Sequence, residues 1–289
     1  MAKENKTNIN RRQFLKSTAI AAASMAAIGA GVTYIQKYKR DENNAQELLR
    51  PPGAIDEDAF LYACIKCGLC VQICPVHAIK FAGINEDLAY GTPYINAREQ
   101  ACDFSCDSIQ CAETCPTAAL YFIQFKEAGL KAIEAVQQQG PEALKNINPF
   151  EVQVVAMKKV THIGVAKLNE KTCLAVKGKG FSGTPRGENF NGVLRPQSIK
   201  NQDGSKIRKA YPLKEQKYER EICDLCVTEC PIGEEAITLK KTTNPDGSVS
   251  YKPNVLEGCT GCGVCEMICP TEPASIVIEA GKTYEEVYS

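Results

Sequence analysis

Cysteine spacing constrains this chain more than any other feature. Four times the sequence passes through closely set cysteines and closes the group with Cys-Pro, at Cys74-Pro75, Cys115-Pro116, Cys230-Pro231 and Cys269-Pro270. Disulfide frameworks belong to small secreted chains that cannot build a core, and a chain of 289 residues buries enough surface to fold without bridges. Tight grouping instead suits thiolates that converge on iron or another thiophilic metal.

Two of the groups, Cys64-x2-Cys67-x2-Cys70-x3-Cys74-Pro75 and Cys259-x2-Cys262-x2-Cys265-x3-Cys269-Pro270, have the spacing of the bacterial ferredoxin run that holds [4Fe–4S] clusters. Three cysteines three residues apart on a tight loop wrap three corners of one cubane. Gly68, Gly261 and Gly263 permit the backbone angles such a loop needs, and proline keeps the cysteine before it out of the helix. The other two groups are variants. Cys102-x3-Cys106-x4-Cys111-x3-Cys115-Pro116 widens the first two gaps, and Cys223-x2-Cys226-x3-Cys230-Pro231 lacks one cysteine, for which Cys173 is the spare. The 16 cysteines therefore divide into four sets of four with none left over. In two-cluster ferredoxins the cysteine before proline serves the other cluster. That rule predicts one cluster on Cys64, Cys67, Cys70 and Cys115, and a second on Cys102, Cys106, Cys111 and Cys74. It predicts a third on Cys173, Cys223, Cys226 and Cys269, and a fourth on Cys259, Cys262, Cys265 and Cys230. Cys173 lies far upstream of its set, and its alternative is a free thiol beside a three-cysteine cluster.

Each Cys-Pro leads into a short β-like segment: Ala78–Phe81, Ala119–Phe122, Ala236–Leu239 and Ser275–Ile278. The predicted class is α+β, with two bacterial-ferredoxin-like double-cluster modules over residues 54–125 and 151–282, short antiparallel strands outside and ligand loops inside. A helical connector over 126–150 carries Leu130, Ile133 and Val136 at helical spacing, then a break at Gly140-Pro141 before Leu144. A polar tether over 37–53 ends in Arg50-Pro51-Pro52-Gly53, which cannot continue a helix, so the folded part is expected to begin near Ala54. Residues 178–217 read as a long flexible insertion in the second module, with a basic run (Lys206, Arg208, Lys209, Lys214, Lys217) that suits a solvated loop or an acidic partner. Residues 283–289 read as a tail.

The N-terminus carries Arg11-Arg12-Gln13-Phe14-Leu15-Lys16 ahead of an uncharged, Ala-rich stretch from Ser17 to Gln36. Paired arginines before a weakly hydrophobic segment have the pattern of a twin-arginine export signal. The stretch is long enough to span a bilayer, so residues 1–36 read either as a signal or as an uncleaved anchor. The expected location is the periplasm, with the twin-arginine (Tat) export machinery as a partner, because that route resembles one taken by proteins already folded around their cofactors.

Other signals lead elsewhere only on paper. Gly178-Lys179-Gly180-Phe181-Ser182-Gly183 matches a dinucleotide fingerprint, but Thr184-Pro185-Arg186-Gly187 opens no helix after it. His77 and His162 lack the Cys-x-His pattern of Rieske centres, and no Cys-x-x-Cys is followed by the histidine of covalent haem. With 34 Lys+Arg against 34 Asp+Glu, no basic field points to nucleic acid. No nucleophile elbow, P-loop or zincin motif is present, which makes an electron carrier the expectation and an enzyme not.

Beyond the cysteines, the chain resembles the MauM/NapG family of ferredoxin-type proteins. The resemblance rests on the Arg-Arg-x-Phe-Leu signal, on Arg50-Pro-Pro-Gly-Ala54 leading to Phe60, and on Cys-Ile-Lys-Cys-Gly-Leu-Cys. It continues through Gly91-Thr-Pro-Tyr-x-x-Ala-Arg98 and His162-x-Gly-x-Ala166. It implies a four-cluster carrier in nitrate respiration, taking electrons from a membrane iron–sulfur protein that oxidises quinol. Delivery would be toward a periplasmic c-type cytochrome and the molybdenum nitrate reductase, possession of the quinone chemistry staying with the partner in a quinol dehydrogenase complex. Two departures stand out: three residues (Asp103, Phe104, Ser105) where the family usually has two, and the long insertion after Cys173. Alternatives are the iron–sulfur subunit of another exported molybdoenzyme, a maturation factor for the reductase, and a structural zinc protein using the same thiolates.

Overall fold

The structure, a computed structural model, describes residues 48–140, 147–200, 206–243 and 249–289. The paired arginines, the uncharged 17–36 stretch and the tether up to residue 47 lie outside the described residues, as do Pro141 and Leu144 of the connector.

Each cysteine run sets its own local geometry. Helix α1 (Glu57–Ala63) starts at Asp56, whose carboxylate accepts the Asp58 and Ala59 N–H groups and so satisfies donors that the first turn leaves open. Gly68 then takes a left-handed conformation (φ 78°) and opens helix α2 (Leu69–Ile73). Cys74 is extended, as a residue before proline prefers, and the chain enters β1 (Ile79–Phe81), which pairs antiparallel with β2 (Pro93–Ile95). The second run forms one turn, α3 (Gln110–Glu113). Ala119–Phe122 is not the strand its composition suggests. Leu120 makes a single bridge with Ala54, the Tyr121 N–H donates to the Gly53 carbonyl at 2.6 Å, and helix α4 (Ile123–Gln137) takes over at once.

The folded body also starts before Ala54. Leu49 and Arg50 are buried, and the Leu49 carbonyl accepts the Ile95 N–H at 2.7 Å. Arg50 is the reason: its guanidinium forks onto Glu57 (2.6 and 2.9 Å), donates to Thr92 Oγ1 and the Pro93 carbonyl (both 2.9 Å), and lies over the Phe60 ring at 4.7 Å. One buried cation thus joins the Arg-Pro-Pro-Gly and Gly-Thr-Pro-Tyr segments.

Helix α5 (Pro149–Lys159) begins at Asn148, whose side chain accepts the Phe150 N–H, and crosses the expected module boundary at residue 151. It packs against α4 through Phe125, Gly129, Val154 and Met157. The Leu130 position picked out by spacing is 48% exposed. The contact instead centres on Gly129, where an added Cβ would sit 3.0 Å from Met157 Cε, so a larger residue would have to push the Met157 side chain aside.

The second half opens with β3 (Gly164–Leu168), which pairs antiparallel with residues 276–280. The described residues of the 178–217 segment form strands where the sequence suggested a solvated loop. Strand β4 (Phe181–Gly183) pairs with β7 (Tyr218–Arg220), and β5 (Val193–Lys200) with β6 (Lys206–Pro212), bulged between Leu194 and Gln197. It is anchored by buried Leu194 and Leu213 and by a reciprocal pair of bonds, 2.9 Å each, between the Gln100 amide and the Val193 backbone. Gly178 to Gly183 runs into β4 and opens no helix. Then follow α6 (Leu225–Thr228), the hairpin of β8 (Ile237–Thr243) and β9 (Val249–Val255), α7 (Val264–Ile268), β10 (Ile276–Ala280), which closes on β3, and α8 (Tyr284–Tyr288). Residues 283–289 are therefore a helix with a capping box at Thr283 and Glu286. Tyr288 Oη donates to the Ala166 carbonyl at 2.7 Å and Tyr284 Oη to that of Val255 at 3.3 Å. Among the described residues every sheet is a two-stranded antiparallel pair, in keeping with the α+β class.

The halves share one core. Phe60, Phe104 and Phe125 of the first belong to the same buried cluster as Val264, Met267 and Ile268 of the second, and a smaller cluster holds Val165, Ile237, Val255 and Ile276. Gly263 lies so close to Ala97 that a Cβ there would meet Ala97 Cβ at 2.5 Å. The Cys102 N–H donates to the Cys262 carbonyl at 3.1 Å across the junction.

Candidate iron–sulfur centres

The sixteen cysteines are all unbridged, and many of them lie within electrostatic reach of one another. Burial first, then Cys64, Cys115 and Cys67, pushes the Cys70 thiol up to about 12. Burial, then Cys106, Cys111 and Cys74, raises Cys102. Burial, then Cys223, Cys173 and Cys269, raises Cys226, and Cys223 is pushed up to about 11 by burial with Cys269 and Cys173 nearby. Burial, then Cys259 and Cys262, with Cys226 and Cys230 beyond, raises Cys265. In each set, sulfur charges fall within reach of one another, and each includes the Cys-Pro sulfur of the neighbouring run. Cys173 is buried and sits with Cys223, Cys226 and Cys269. Electrostatic influence also crosses between neighbouring runs, from Cys70 to Cys111 and from Cys226 to Cys265.

Two of the sets line cavities. Cys64, Cys67, Cys70 and Cys115 share one with Phe60, Ile65 and Leu120, of about 350 Å³ counting its open mouth. Cys230, Cys259, Cys262 and Cys265 share another with Ala166, Ile237, Val255 and Ile278, of about 340 Å³ on the same measure. Among the described residues no group of three or more His, Cys, Asp or Glu side chains is arranged for a single metal ion. The thiols ring a space instead of a point. Soft sulfur donors and apolar walls fit an iron–sulfur cubane.

Backbone amides point at the sulfurs from the strand side. The Cys74 sulfur accepts the Ala78 N–H at 3.3 Å, Cys115 that of Leu120 at 3.4 Å, and Cys269 that of Ser275 at 3.2 Å. The short segments after these three Cys-Pro pairs therefore supply hydrogen bonds to thiolate, which favour its charged form. Cys269 has a further partner in the Thr271 hydroxyl at 3.2 Å, which in turn meets Ser275 Oγ at 2.7 Å. The histidines stand apart: His77 is exposed, and His162 Nε2 meets the Lys282 carbonyl at 2.8 Å.

Sequence reasoning missed two arginines. Arg98 Nη1 donates to the Glu266 and Cys269 carbonyls (2.7 and 2.8 Å), and Nη2 to the Thr271 carbonyl and Glu272 carboxylate (2.7 and 2.9 Å). Arg186, from the insertion, donates to the Arg98 carbonyl at 2.8 Å and the Met267 carbonyl at 3.3 Å, and lies over the Phe190 ring at 4.4 Å. Arg98 was legible as the end of the Gly-Thr-Pro-Tyr segment. Arg186 carried no spacing signal.

Comparison with known proteins agrees with this geometry. The 4Fe-4S dicluster domain matches residues 63–119 and 221–272. The ferredoxin-type protein NapG of Escherichia coli (strain K12) is 29% identical over 282 residues, covering 96% of this chain and 89% of that protein. The methylamine utilization ferredoxin-type protein MauM of Methylophilus methylotrophus is 30% identical over 233 residues, covering 80% of this chain and 70% of that protein. MauM of Methylorubrum extorquens is 28% identical over 268 residues, covering 92% and 87%. No solved structure matches the chain.

Proposed function

The chain belongs to the MauM/NapG family of ferredoxin-type proteins, and from that premise we propose that it carries four [4Fe–4S] clusters on its sixteen cysteines and relays electrons between two protein partners. At the coarser level it is an electron-transfer iron–sulfur protein of the 4Fe–4S dicluster type, a carrier rather than an enzyme. The observation that supports the finer reading is the convergence of the cysteines into four sets, each completed by the Cys-Pro sulfur of the neighbouring run. A bound [4Fe–4S] cluster supplies a one-electron couple. The chain would supply four thiolates per set and backbone amides that donate to three of the Cys-Pro sulfurs.

The partners in this proposal are those of the family resemblance. A membrane iron–sulfur protein that oxidises quinol gives the electrons, and a periplasmic c-type cytochrome with molybdenum nitrate reductase receives them. The twin-arginine pattern supports a periplasmic location, reached through the Tat machinery with residues 1–36 as signal or anchor. The domain scheme of two modules, 54–125 and 151–282, is kept as a description of the ligand runs, with the two packed on one core. A second reading has its own support: relatives named for methylamine utilization match at up to 30% identity, so the terminal system would be that of amine oxidation. The NapG likeness spans 96% of the chain and the MauM likeness up to 92%, a small margin that goes to the first.

Iron, acid-labile sulfide and zinc measured on anaerobically purified chain, with EPR before and after reduction, test the proposal. About sixteen iron and sixteen sulfide per chain are expected from four cubanes. About twelve would remove one set, and zinc without sulfide would end the electron-transfer reading.

A further inference from the structure

The Gly-Thr-Pro-Tyr-x-x-Ala-Arg segment and the insertion both end on the same few atoms, at the close of α7. A five-residue helix leaves its last carbonyls without intrahelical partners, and ordinarily water takes them. In this chain two guanidinium groups do. Arg98 reaches across from the first half to the Glu266, Cys269 and Thr271 carbonyls, and Arg186 reaches in from the insertion to that of Met267. Both cations lie within electrostatic reach of residues 266–272, and Arg186 feels the Cys269 sulfur. That sulfur also receives the Ser275 N–H and faces the Thr271 hydroxyl.

We propose that Arg98 and Arg186 are potential-setting residues, acting through Cys269 on the cluster held by Cys173, Cys223, Cys226 and Cys269. The proposal rests on the four-cluster reading above. Its physics is simple: the couple adds one negative charge, and a fixed positive charge nearby in a medium of low effective dielectric favours the reduced form. Two carboxylates oppose the arginines. Glu272 is 79% exposed at its side chain, where solvent and salt screen it. Glu266 accepts the Ile278 N–H at 2.7 Å and faces both arginines, so it offsets part of their field. Arg98 is fixed by three carbonyls, and Arg186 by carbonyls on one side and the Phe190 ring on the other. The insertion therefore serves the molecule's interior, and a residue of the first half adjusts a centre of the second.

The test is an EPR-monitored redox titration of the full, cluster-loaded chain, with iron and sulfide counted on every sample. Cys173→Ser identifies the signal of its set. Arg98→Gln and Arg186→Gln are each expected to make that one centre about tenfold harder to reduce, a shift of ~59 mV downward for a one-electron couple. The other three centres should stay where they were. Arg98→Lys keeps the charge and is expected to restore most of the potential while losing the fork. Thr271→Val removes only the hydroxyl and should move the same centre the same way by less. If Arg98→Gln does not accumulate with full iron, Arg186→Gln and Thr271→Val decide the matter alone. Fully loaded variants with unchanged potentials, or with all four centres shifted alike, overturn the assignment and leave the four-cluster reading standing. A wild-type chain that lacks the cluster of the Cys173 set overturns both.

Discussion

The runs beginning at Cys64 and Cys259 have identical spacing and nearly identical local structure, yet one faces solvent and the other does not. Both open a one-turn helix from a left-handed glycine, at φ 78° for Gly68 and 87° for Gly263. In the first, Cys67 is exposed, and so are Ile65 and Leu69 beside it. In the second, Cys262, Cys265 and Cys269 are all buried. The difference comes from what lies over the glycines. A Cβ on Gly68 would touch only the end of the Phe81 ring at 3.0 Å, whereas one on Gly261 would strike the Gly164 backbone at 2.3 Å and one on Gly263 the Ala97 methyl at 2.5 Å. Ligand spacing dictates how a loop wraps a cluster. Burial is decided by the rest of the chain, which packs strand β3, the first half and helix α8 over the second run and leaves the first open.

The largest test of this contrast is substitution of the glycines. Any Cβ at these angles costs roughly 1–2 kcal/mol, and Gly68→Ala should cost little more because Phe81 is free to swing outward. Gly261→Ala must also displace a strand backbone, an overpacking cost of roughly 1–3 kcal/mol more. Chemical denaturation of the loaded proteins should therefore rank Gly261→Ala well below Gly68→Ala, and equal losses would show that the covering elements yield. Next, controlled oxidation should remove about four of sixteen iron first, from the set containing Cys67, with the set of Cys259 going last. Truncation after Lys282, which deletes α8, is expected to bring the two rates together. If the order of loss is unchanged by truncation, α8 is not the cover.

A smaller effect is pH-dependent. Burial, then Cys259, Tyr284 and Cys265, holds the Tyr288 phenol up to about 12, against an ordinary 10.0. The folded phenol keeps its proton where the unfolded one would lose it. Its contribution is therefore complete below pH 10 and disappears as pH rises through about 12. Phenolate absorbance should show one late-titrating tyrosine whose ionisation accompanies loosening of α8, and Tyr288→Phe should abolish that step. Smallest of all, Thr283→Ala removes the helix cap, worth about 1 kcal/mol, and should speed iron loss from the Cys259 set only a few-fold.

Much of this was legible in the sequence because cluster chemistry demands fixed spacing. The ligand runs, the left-handed glycines at Gly68, Gly261 and Gly263 and the extended Cys74 and Cys269 all follow from local rules. What escaped depends on distant partners. Ala119–Phe122 has strand composition, but the neighbour offered to it is a proline-bounded turn at Gly53, so it makes one bridge and stops. Leu49 looks like tether until Ile95 bonds to it. The insertion reads as solvated because its lysines outnumber its anchors, and Leu194, Leu213 and Arg186 show their worth only against Gln100 and α7. Spacing cannot reveal that Gly129, not Leu130, is where α4 meets α5.

The crossing of the Cys-Pro sulfurs has a consequence for biosynthesis. On the proposed sets, the last sulfur needed in the first half is Cys115; in the second half the Cys259 set needs sulfurs up to Cys265, and the Cys173 set waits for Cys269. Iron insertion would then follow the order of synthesis, the first half able to close before the second has been made. A chain that stops between Cys265 and Cys269 would lack one set, and one that stops between Cys115 and Cys265 would lack two.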